Sequence, residues 1–182
     1  MNYWKIDKED VCNGEGLRVV LWLSGCSHKC KGCQNPQTWD VNSGISFDES
    51  AKEELFRELG KDYISGITLT GGDPLYGSNL DEVLDLVNEI RLSFPQKSIW
   101  LYSGYTWEEI MKLYFKGLYD FQCTKKRQKI ISKCDVLVDG QYIDSMRDIT
   151  LAYRGSKNQR VIDIKKSLKQ PIKNGEIILW TD

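Results

Sequence analysis

Residues 26–33 read Cys26-Ser27-His28-Lys29-Cys30-Lys31-Gly32-Cys33, and they directly follow the apolar run of residues 17–24. The run predicts a β-strand that leads into a loop with three thiols at C-x3-C-x2-C spacing. Such short gaps let the three sulfurs converge around one metal centre. Three thiolates leave one iron of a four-iron cluster without a protein ligand, whereas four would close the cluster as an electron carrier. The loop therefore predicts a cluster with an open coordination position for substrate, as in catalytic zinc sites.

Two other uses of these thiols have to be weighed. A structural zinc site needs a fourth ligand, which Cys12 or His28 would have to supply, and it usually has a second Cys-x-x-Cys pair that this sequence lacks. A disulfide that leaves one thiol over fits a reducing compartment poorly. The other cysteines stand alone, and we expect each to be a small buried side chain: Cys12, Cys123 and Cys134.

Length and composition indicate an ordinary globular protein. A chain of 182 residues can bury a sizeable core, and we expect one domain over residues 1–182. The 25 basic and 26 acidic residues give a formal net charge of −1, which indicates neither nucleic acid nor a membrane surface as a partner. No apolar run reaches the ~20 residues that span a bilayer, and the N-terminal residues lack the pattern of a signal peptide. We therefore expect a cytoplasmic location.

Strand and helix patterns alternate after the cysteine loop. Residues 1–16 resemble an entry segment, and the basic run at residues 125–129 is typical of a solvated helix face. Helices are predicted at residues 48–59, at residues 80–94 and after the N-cap Thr106. Further strands are predicted at residues 66–70, 98–102, 134–138, 159–164 and 176–180. This alternation predicts an α/β fold with a parallel sheet and right-handed crossovers.

Two layouts of that sheet compete, a flat doubly wound sheet and a curved barrel fragment. A complete eight-unit barrel needs ~250 residues, so about five or six parallel strands would form a partial barrel that is open along one side. In either layout the loops after the strands gather on one face, where α/β proteins bind ligands. We expect four loops there: residues 26–33, 71–74, 103–105 and 139–140.

Several residues outside the cysteine loop are candidates for ligand contacts. Gly71 and Gly72 would let backbone carbonyls approach an ammonium group, and Asp73 adds negative charge. Ser103 is either a partner for a ribose hydroxyl or a turn residue. Arg18 is either the surface partner of a carboxylate or a ligand contact. The only histidine, His28, is either a loop residue that tunes the cluster or, as the favoured alternative, a solvated loop residue.

The cysteine loop and the later Gly71-Gly72-Asp73-Pro74 resemble the signatures of the radical S-adenosylmethionine (radical SAM) superfamily. The resemblance implies a partial, open (β/α) barrel and one [4Fe-4S] cluster, and it implies no catalytic residue beyond the cluster ligands. The implied ligands of the cluster are Cys26, Cys30 and Cys33. The implied contacts of S-adenosylmethionine are Gly32, Cys33, Gln34, Gly71, Gly72, Asp73 and Ser103.

Six segments narrow the resemblance to the activating proteins of anaerobic (class III) ribonucleotide reductases. They are residues 13–18, 26–33, 71–75, 102–106, 135–140 and 154–160, and the likeness covers residues 1 to about 164. It implies an enzyme that cleaves S-adenosylmethionine reductively and generates a glycyl radical on the large reductase subunit. The implied partners are that subunit and an electron donor such as flavodoxin or ferredoxin.

The sequence also allows other functions. One is another small radical SAM enzyme, of the pyruvate formate-lyase activase or 7-carboxy-7-deazaguanine synthase type. Another is a zinc-stapled module that binds nucleic acid through residues 125–129.

Overall fold

The computed structural model describes residues 1–112, 114, 116–169 and 177–180 of the chain. Its strands are β1 (Asn2–Asp10), β2 (Arg18–Leu23), β3 (Ile45–Ser46), β4 (Gly66–Gly71), β5 (Ser98–Tyr102), β6 (Val136–Asp139) and β7 (Arg160–Asp163). Its α-helices are α1 (Glu49–Leu59), α2 (Leu80–Ser93), α3 (Trp107–Ile110), α4 (Leu118–Lys133) and α5 (Ile164–Leu168). Among these described residues, no helix combines the length and the apolar character needed to cross a membrane.

The described strands form one open, mixed sheet of seven in the order β3-β1-β2-β4-β5-β6-β7. Its centre is parallel and consists of β2, β4, β5 and β6. The flanking strands β1, β3 and β7 are antiparallel to their neighbours. The α/β class is confirmed, but the expected five or six parallel strands are not. Residues 140–159, which join β6 to β7, contain only a 3-10 helix at Asp144–Met146. A parallel return usually runs through a crossover α-helix, which this connection lacks, and β7 comes back antiparallel.

The first strand was missed by the sequence prediction. Residues 2–10 are not merely an entry segment, because they form β1 and pair along β2. Only Tyr3 of this strand is buried, and the charged residues around it follow no strict alternation. The apolar period that identifies the central strands is therefore absent from β1.

The helices bury one face of the central strands, and most of them begin where predicted. The side chain of Asp48 caps α1 by accepting a hydrogen bond from Ala51 N at 3.0 Å. Thr106 and Glu109 form the expected capping box at the start of α3. The strand residues of this main core are fully buried and include Val19, Leu21, Leu23, Ile67, Leu69, Ile99, Leu101, Leu137 and Ile162.

A smaller aromatic cluster contains Trp100, and Trp180 of residues 177–180 packs against it. The Trp100 ring centre lies 5.1 Å from those of Tyr153 and Trp180. Residues 177–180 run antiparallel to β7, with Trp180 N donating to Val161 O at 2.9 Å. The strand predicted at residues 176–180 is thus present only as an isolated bridge, and residue 176 lies outside the described residues.

Arg18 has neither of the two roles expected from the sequence. Its side chain is fully buried at the start of β2, and its guanidinium lies 5.4 Å from the centre of the Trp100 ring. It donates hydrogen bonds to neutral groups only, among them Thr68 Oγ1 at 2.8 Å, Ile67 O at 2.7 Å and Ser98 Oγ at 2.9 Å. Burial lowers the pKa of Arg18 to about 10. The side chain therefore ties β2, β4 and β5 together at their amino ends.

We expect Arg18→Leu to lower the free energy of unfolding by about 2 to 3 kcal/mol, because it leaves buried acceptors on β4 and β5 without their charged donor. Urea unfolding measures the change. The matched control is Arg57→Leu, since Arg57 is 64% exposed on α1 and should contribute less than about 0.5 kcal/mol. Equal unfolding midpoints for the two variants would contradict this role of Arg18.

Candidate metal centre

The loops that follow the four parallel strands meet at the carboxyl edge of the sheet, as predicted. Backbone hydrogen bonds join neighbouring loops directly. Asp73 N donates to Gly25 O at 2.8 Å, which links the β4 loop to the cysteine loop. Ser103 N donates to Val138 O at 2.9 Å, which links the β5 loop to β6. The edge therefore brings together residues that are more than 100 positions apart in the sequence.

The three cysteines of residues 26–33 are free and half-buried. Cys26 N donates to Trp39 O at 3.0 Å, and the sulfur of Cys33 accepts a hydrogen bond from Asn35 N at 3.3 Å. Burial raises the pKa of Cys26 to about 11, with a smaller contribution from the charge of Asp73. Burial also raises the pKa of Cys30. Because the thiolate is the metal ligand, a metal bound here would have to displace the protons of these thiols.

Three thiols are a donor set that a four-iron cluster can use. In the part of the chain that the structure describes, no three His, Cys, Asp or Glu side chains converge closely enough to hold one metal ion. In a four-iron cluster each thiolate binds a different iron, so the sulfurs stand further apart than the ligands of one ion. The structure does not support Cys12 or His28 as the fourth ligand of a zinc ion. Cys12 is exposed beyond β1, which also contradicts its expected burial, and His28 faces Asp73.

The carboxylate of Asp73 is the central acceptor of the site, and its residue is only 1% exposed. It accepts hydrogen bonds from Ser103 Oγ at 3.0 and 3.1 Å, from Gly104 N at 3.0 Å and from Leu75 N at 2.8 Å. His28 Nε2 lies 2.9 Å from Oδ2 of the same carboxylate, but the geometry between the two groups is not that of a hydrogen bond. Two predicted cofactor contacts, Asp73 and Ser103, thus bind each other, and Asp73 holds three loops together.

The prediction that His28 is solvated is wrong. Its side chain is 9% exposed, and its ring packs edge-on against Tyr105 with the ring centres 4.6 Å apart. It also lies against Gly104, where a Cβ atom would stand 2.3 Å from His28 Cδ2. His28 therefore attaches the segment between Cys26 and Cys30 to the β5 loop.

Arg127 supports this contact from α4, and the sequence prediction missed it. Its guanidinium lies 4.0 Å from the centre of the Tyr105 ring, and Nη2 donates to Tyr105 Oη at 2.9 Å. The solvated face expected for residues 125–129 holds for the exposed Lys129 but not for Arg127. A helical period gives the missing signal, because Arg127 is three or four positions from the buried Cys123, Ile130 and Ile131.

The remaining predicted contacts surround the cysteine loop, and their role toward a cofactor stays a prediction. Gly72 packs so closely that a Cβ atom there would lie 2.6 Å from Gly25 O and 3.0 Å from Thr38 O. Gly71 ends β4, and Gly32 lies against Asp144 of the β6 loop. Gln34 is exposed. The close packing of the loops alone therefore requires glycine at position 72.

Comparisons with known proteins identify an iron–sulfur cluster domain and a family of activating proteins. The family model of the 4Fe-4S single cluster domain matches residues 12–162. The anaerobic ribonucleoside-triphosphate reductase-activating protein of Enterobacteria phage T4 is 42% identical over 161 residues, which are 88% of this chain and 93% of that protein. The protein of the same name from Haemophilus influenzae is 36% identical over 87% of this chain and 96% of its own length. The protein of the same name from Escherichia coli (strain K12) is 37% identical over 88% of this chain and 97% of its own length.

We expect Gly104→Ala to reduce cluster loading, because the new methyl group would displace the ring of His28 and with it the cysteine loop. Iron content after anaerobic reconstitution should fall from roughly four atoms per chain to less than half of that. The matched control is Gly60→Ala at the end of α1, where the nearest atom would lie 3.2 Å from the new Cβ. Full iron loading of a folded Gly104→Ala protein would show that His28 does not fix the loop.

Proposed function

The chain belongs to the family of anaerobic ribonucleoside-triphosphate reductase-activating proteins, and we propose that it activates such a reductase by generating a glycyl radical on the large subunit. One observation carries this proposal. The three-cysteine loop lies at the carboxyl edge of the parallel strands, within the region that matches the cluster-domain family. Reductive cleavage of S-adenosylmethionine is the chemistry that this loop suits, because three thiolates leave one iron open.

In this proposal Cys26, Cys30 and Cys33 bind one [4Fe-4S] cluster as thiolates. Bound there, the reduced cluster supplies the one-electron chemistry that cleaves S-adenosylmethionine and leads to the glycyl radical. The half-buried loop limits access of water to the sulfurs. The contact between His28 and the Asp73 carboxylate keeps the first two ligands in register with the β4 and β5 loops. A loop fixed in this way keeps the open iron position in one place for substrate.

The proposed contacts of S-adenosylmethionine lie around the same loop. Gly71, Gly72 and Asp73 are assigned to the methionine amino group, because backbone carbonyls and a carboxylate attract an ammonium. Ser103 is assigned to the ribose. The segment Gly32-Cys33-Gln34 is assigned to the adenine. Ser103 Oγ donates to the Asp73 carboxylate, so the contact to the methionine amino group and the contact to the ribose would be coupled through these two side chains.

The open sheet suits a protein substrate. We propose that the sheet is a partial (β/α) barrel, which leaves a side through which a peptide segment of the reductase reaches the metal centre. The antiparallel β7 ends the sheet instead of continuing toward closure. Small-molecule enzymes generally use enclosed pockets, whereas a glycine within a protein chain requires a wide approach.

An external electron donor completes the proposal. Lys29 and Lys31 are exposed beside the ligands, and their charges favour an acidic surface on a donor of the flavodoxin or ferredoxin class. We place this reaction in the cytoplasm, where thiols stay reduced and iron–sulfur ligands remain free of disulfides.

The decisive experiment mixes the reconstituted protein with S-adenosylmethionine, a reductant and the large reductase subunit without oxygen. A glycyl radical should appear by electron paramagnetic resonance. Cys26→Ala, Cys30→Ala and Cys33→Ala should each reduce 5′-deoxyadenosine formation by at least about a hundredfold, because each removes a cluster ligand.

Cys123→Ala is the matched control. This cysteine is buried on α4, so its loss should lower stability slightly and leave cleavage of the cofactor intact. Undiminished 5′-deoxyadenosine in any of the three loop variants would refute the ligand assignment. Absence of a glycyl radical with the wild-type protein would refute the proposed function.

A further inference from the structure

Arg127 of α4 forms hydrogen bonds with two different loops of the candidate metal centre. Its Nε donates to Leu75 O at 3.0 Å, and its Nη2 donates to Tyr105 Oη at 2.9 Å. Leu75 belongs to the loop after β4, and Tyr105 belongs to the loop after β5. One half-buried guanidinium therefore joins the two loops that carry Asp73 and Ser103.

Two short chains of hydrogen bonds run from these acceptors to the carboxylate of Asp73. Leu75, whose carbonyl accepts from Arg127, donates its own N–H to Asp73 Oδ1 at 2.8 Å. Tyr105 N donates to Ser103 Oγ at 3.1 Å, and Ser103 Oγ donates to Asp73 at 3.0 and 3.1 Å. Arg127 thus fixes, directly or through Tyr105, two of the donors that surround the carboxylate.

The geometry of this contact suits a guanidinium specifically. Nε and Nη2 belong to one planar group, so they hold two acceptors at a fixed separation, whereas a lysine ammonium is a single point charge on a flexible chain. The guanidinium carbon also lies 4.0 Å from the centre of the Tyr105 ring, and this contact fixes the orientation of the group. The side chain therefore sets the separation of the β4 and β5 loops.

That separation bears on the proposed cofactor contacts. In the proposed function Asp73 binds the methionine amino group of S-adenosylmethionine, and Ser103 binds the ribose. Groups that are already ordered lose little conformational entropy when a ligand binds, so they bind it more tightly. If the two loops could move apart, the carboxylate and the hydroxyl would have to be ordered again each time the cofactor binds.

We propose that Arg127 is a positioning residue for S-adenosylmethionine. By holding Leu75 and Tyr105 at a fixed separation, it keeps Asp73 and Ser103 in the arrangement that receives the cofactor. The inference rests on the proposed function. It makes α4, which contributes none of the proposed contacts, a determinant of cofactor affinity. The effect falls on binding more than on cleavage, because the two hydrogen bonds hold the cofactor contacts, whereas the proposed cluster ligands lie on another loop.

The test measures the Kd of S-adenosylmethionine for the cluster-loaded protein by equilibrium dialysis without oxygen. Arg127→Ala should raise the Kd about tenfold, because it releases both loops. Cleavage at saturating cofactor should slow less than about threefold. A purely structural role would lower the unfolding midpoint and leave the Kd of the folded protein unchanged. The matched control is Lys126→Ala, because Lys126 is the neighbouring residue and pairs with Asp81 of α2 at 2.7 Å instead of a loop of the site.

Two conservative variants carry the test if Arg127→Ala fails to fold. Arg127→Lys keeps the positive charge but cannot hold both acceptors at the fixed separation, so the Kd should rise about threefold to fivefold. Tyr105→Phe keeps the ring and removes one acceptor, so the Kd should rise about threefold. Arg127→Ala combined with Tyr105→Phe should raise the Kd less than the product of the two single effects, because both act through one contact.

Hydrogen exchange adds a readout that does not depend on the cofactor. Leu75 N and Gly104 N both donate to the Asp73 carboxylate. In the cluster-loaded protein without S-adenosylmethionine, peptides that contain these N–H groups should exchange at least about fivefold faster in Arg127→Ala than in Lys126→Ala, because their acceptor is no longer fixed. Mass spectrometry measures the rates.

Wild-type affinity in either folded Arg127 variant would overturn the inference while the proposed function stands. Unchanged exchange at Leu75 and Gly104 together with weaker cofactor binding would overturn it as well, because Arg127 would then act on the cofactor by another route. A wild-type protein that binds no S-adenosylmethionine would instead refute the proposed function and the inference with it.

Discussion

The buried carboxylate of Asp73 is the interaction on which the candidate site depends. A carboxylate in this position is tolerated only when hydrogen-bond donors replace water around it. Those donors come from Leu75, Ser103 and Gly104, and His28 approaches the same group from the cysteine loop. Three segments that are far apart in the chain are therefore held at fixed distances by one charged group. The thiols lie in a segment without regular secondary structure, so the position of a cluster would depend on this contact.

Support for that contact extends away from the sheet edge. Tyr105 lies between the ring of His28 and the guanidinium of Arg127. Helix α4 therefore stabilises the cysteine loop although it contributes none of the proposed cluster ligands. Gly104 packs on His28 and also lines an open cleft of about 480 Å³ at the carboxyl ends of β5 and β6.

Much of the fold follows from local patterns in the sequence. The apolar strands, the caps at Asp48 and Thr106, and the meeting of the loops at one edge are all present. The failures have identifiable causes. β1 lacks an apolar period because Tyr3 is its only buried residue, and β7 turns antiparallel because no crossover helix precedes it. Arg18 and Arg127 are basic residues whose partners are neutral or aromatic groups contributed by other strands and loops.

The sequence by itself determined that three thiols stand within eight residues after a strand, because the C-x3-C-x2-C spacing is a local pattern. It also determined the α/β class, since the periodicity of each segment is a local property. Only the tertiary structure decided that Asp73 and Ser103 bind each other, that His28 is buried, and that Asn158 faces a cleft beside Gly104. These pairs of residues are 30 to 54 positions apart, and no local pattern specifies which partner a polar side chain meets across such a separation.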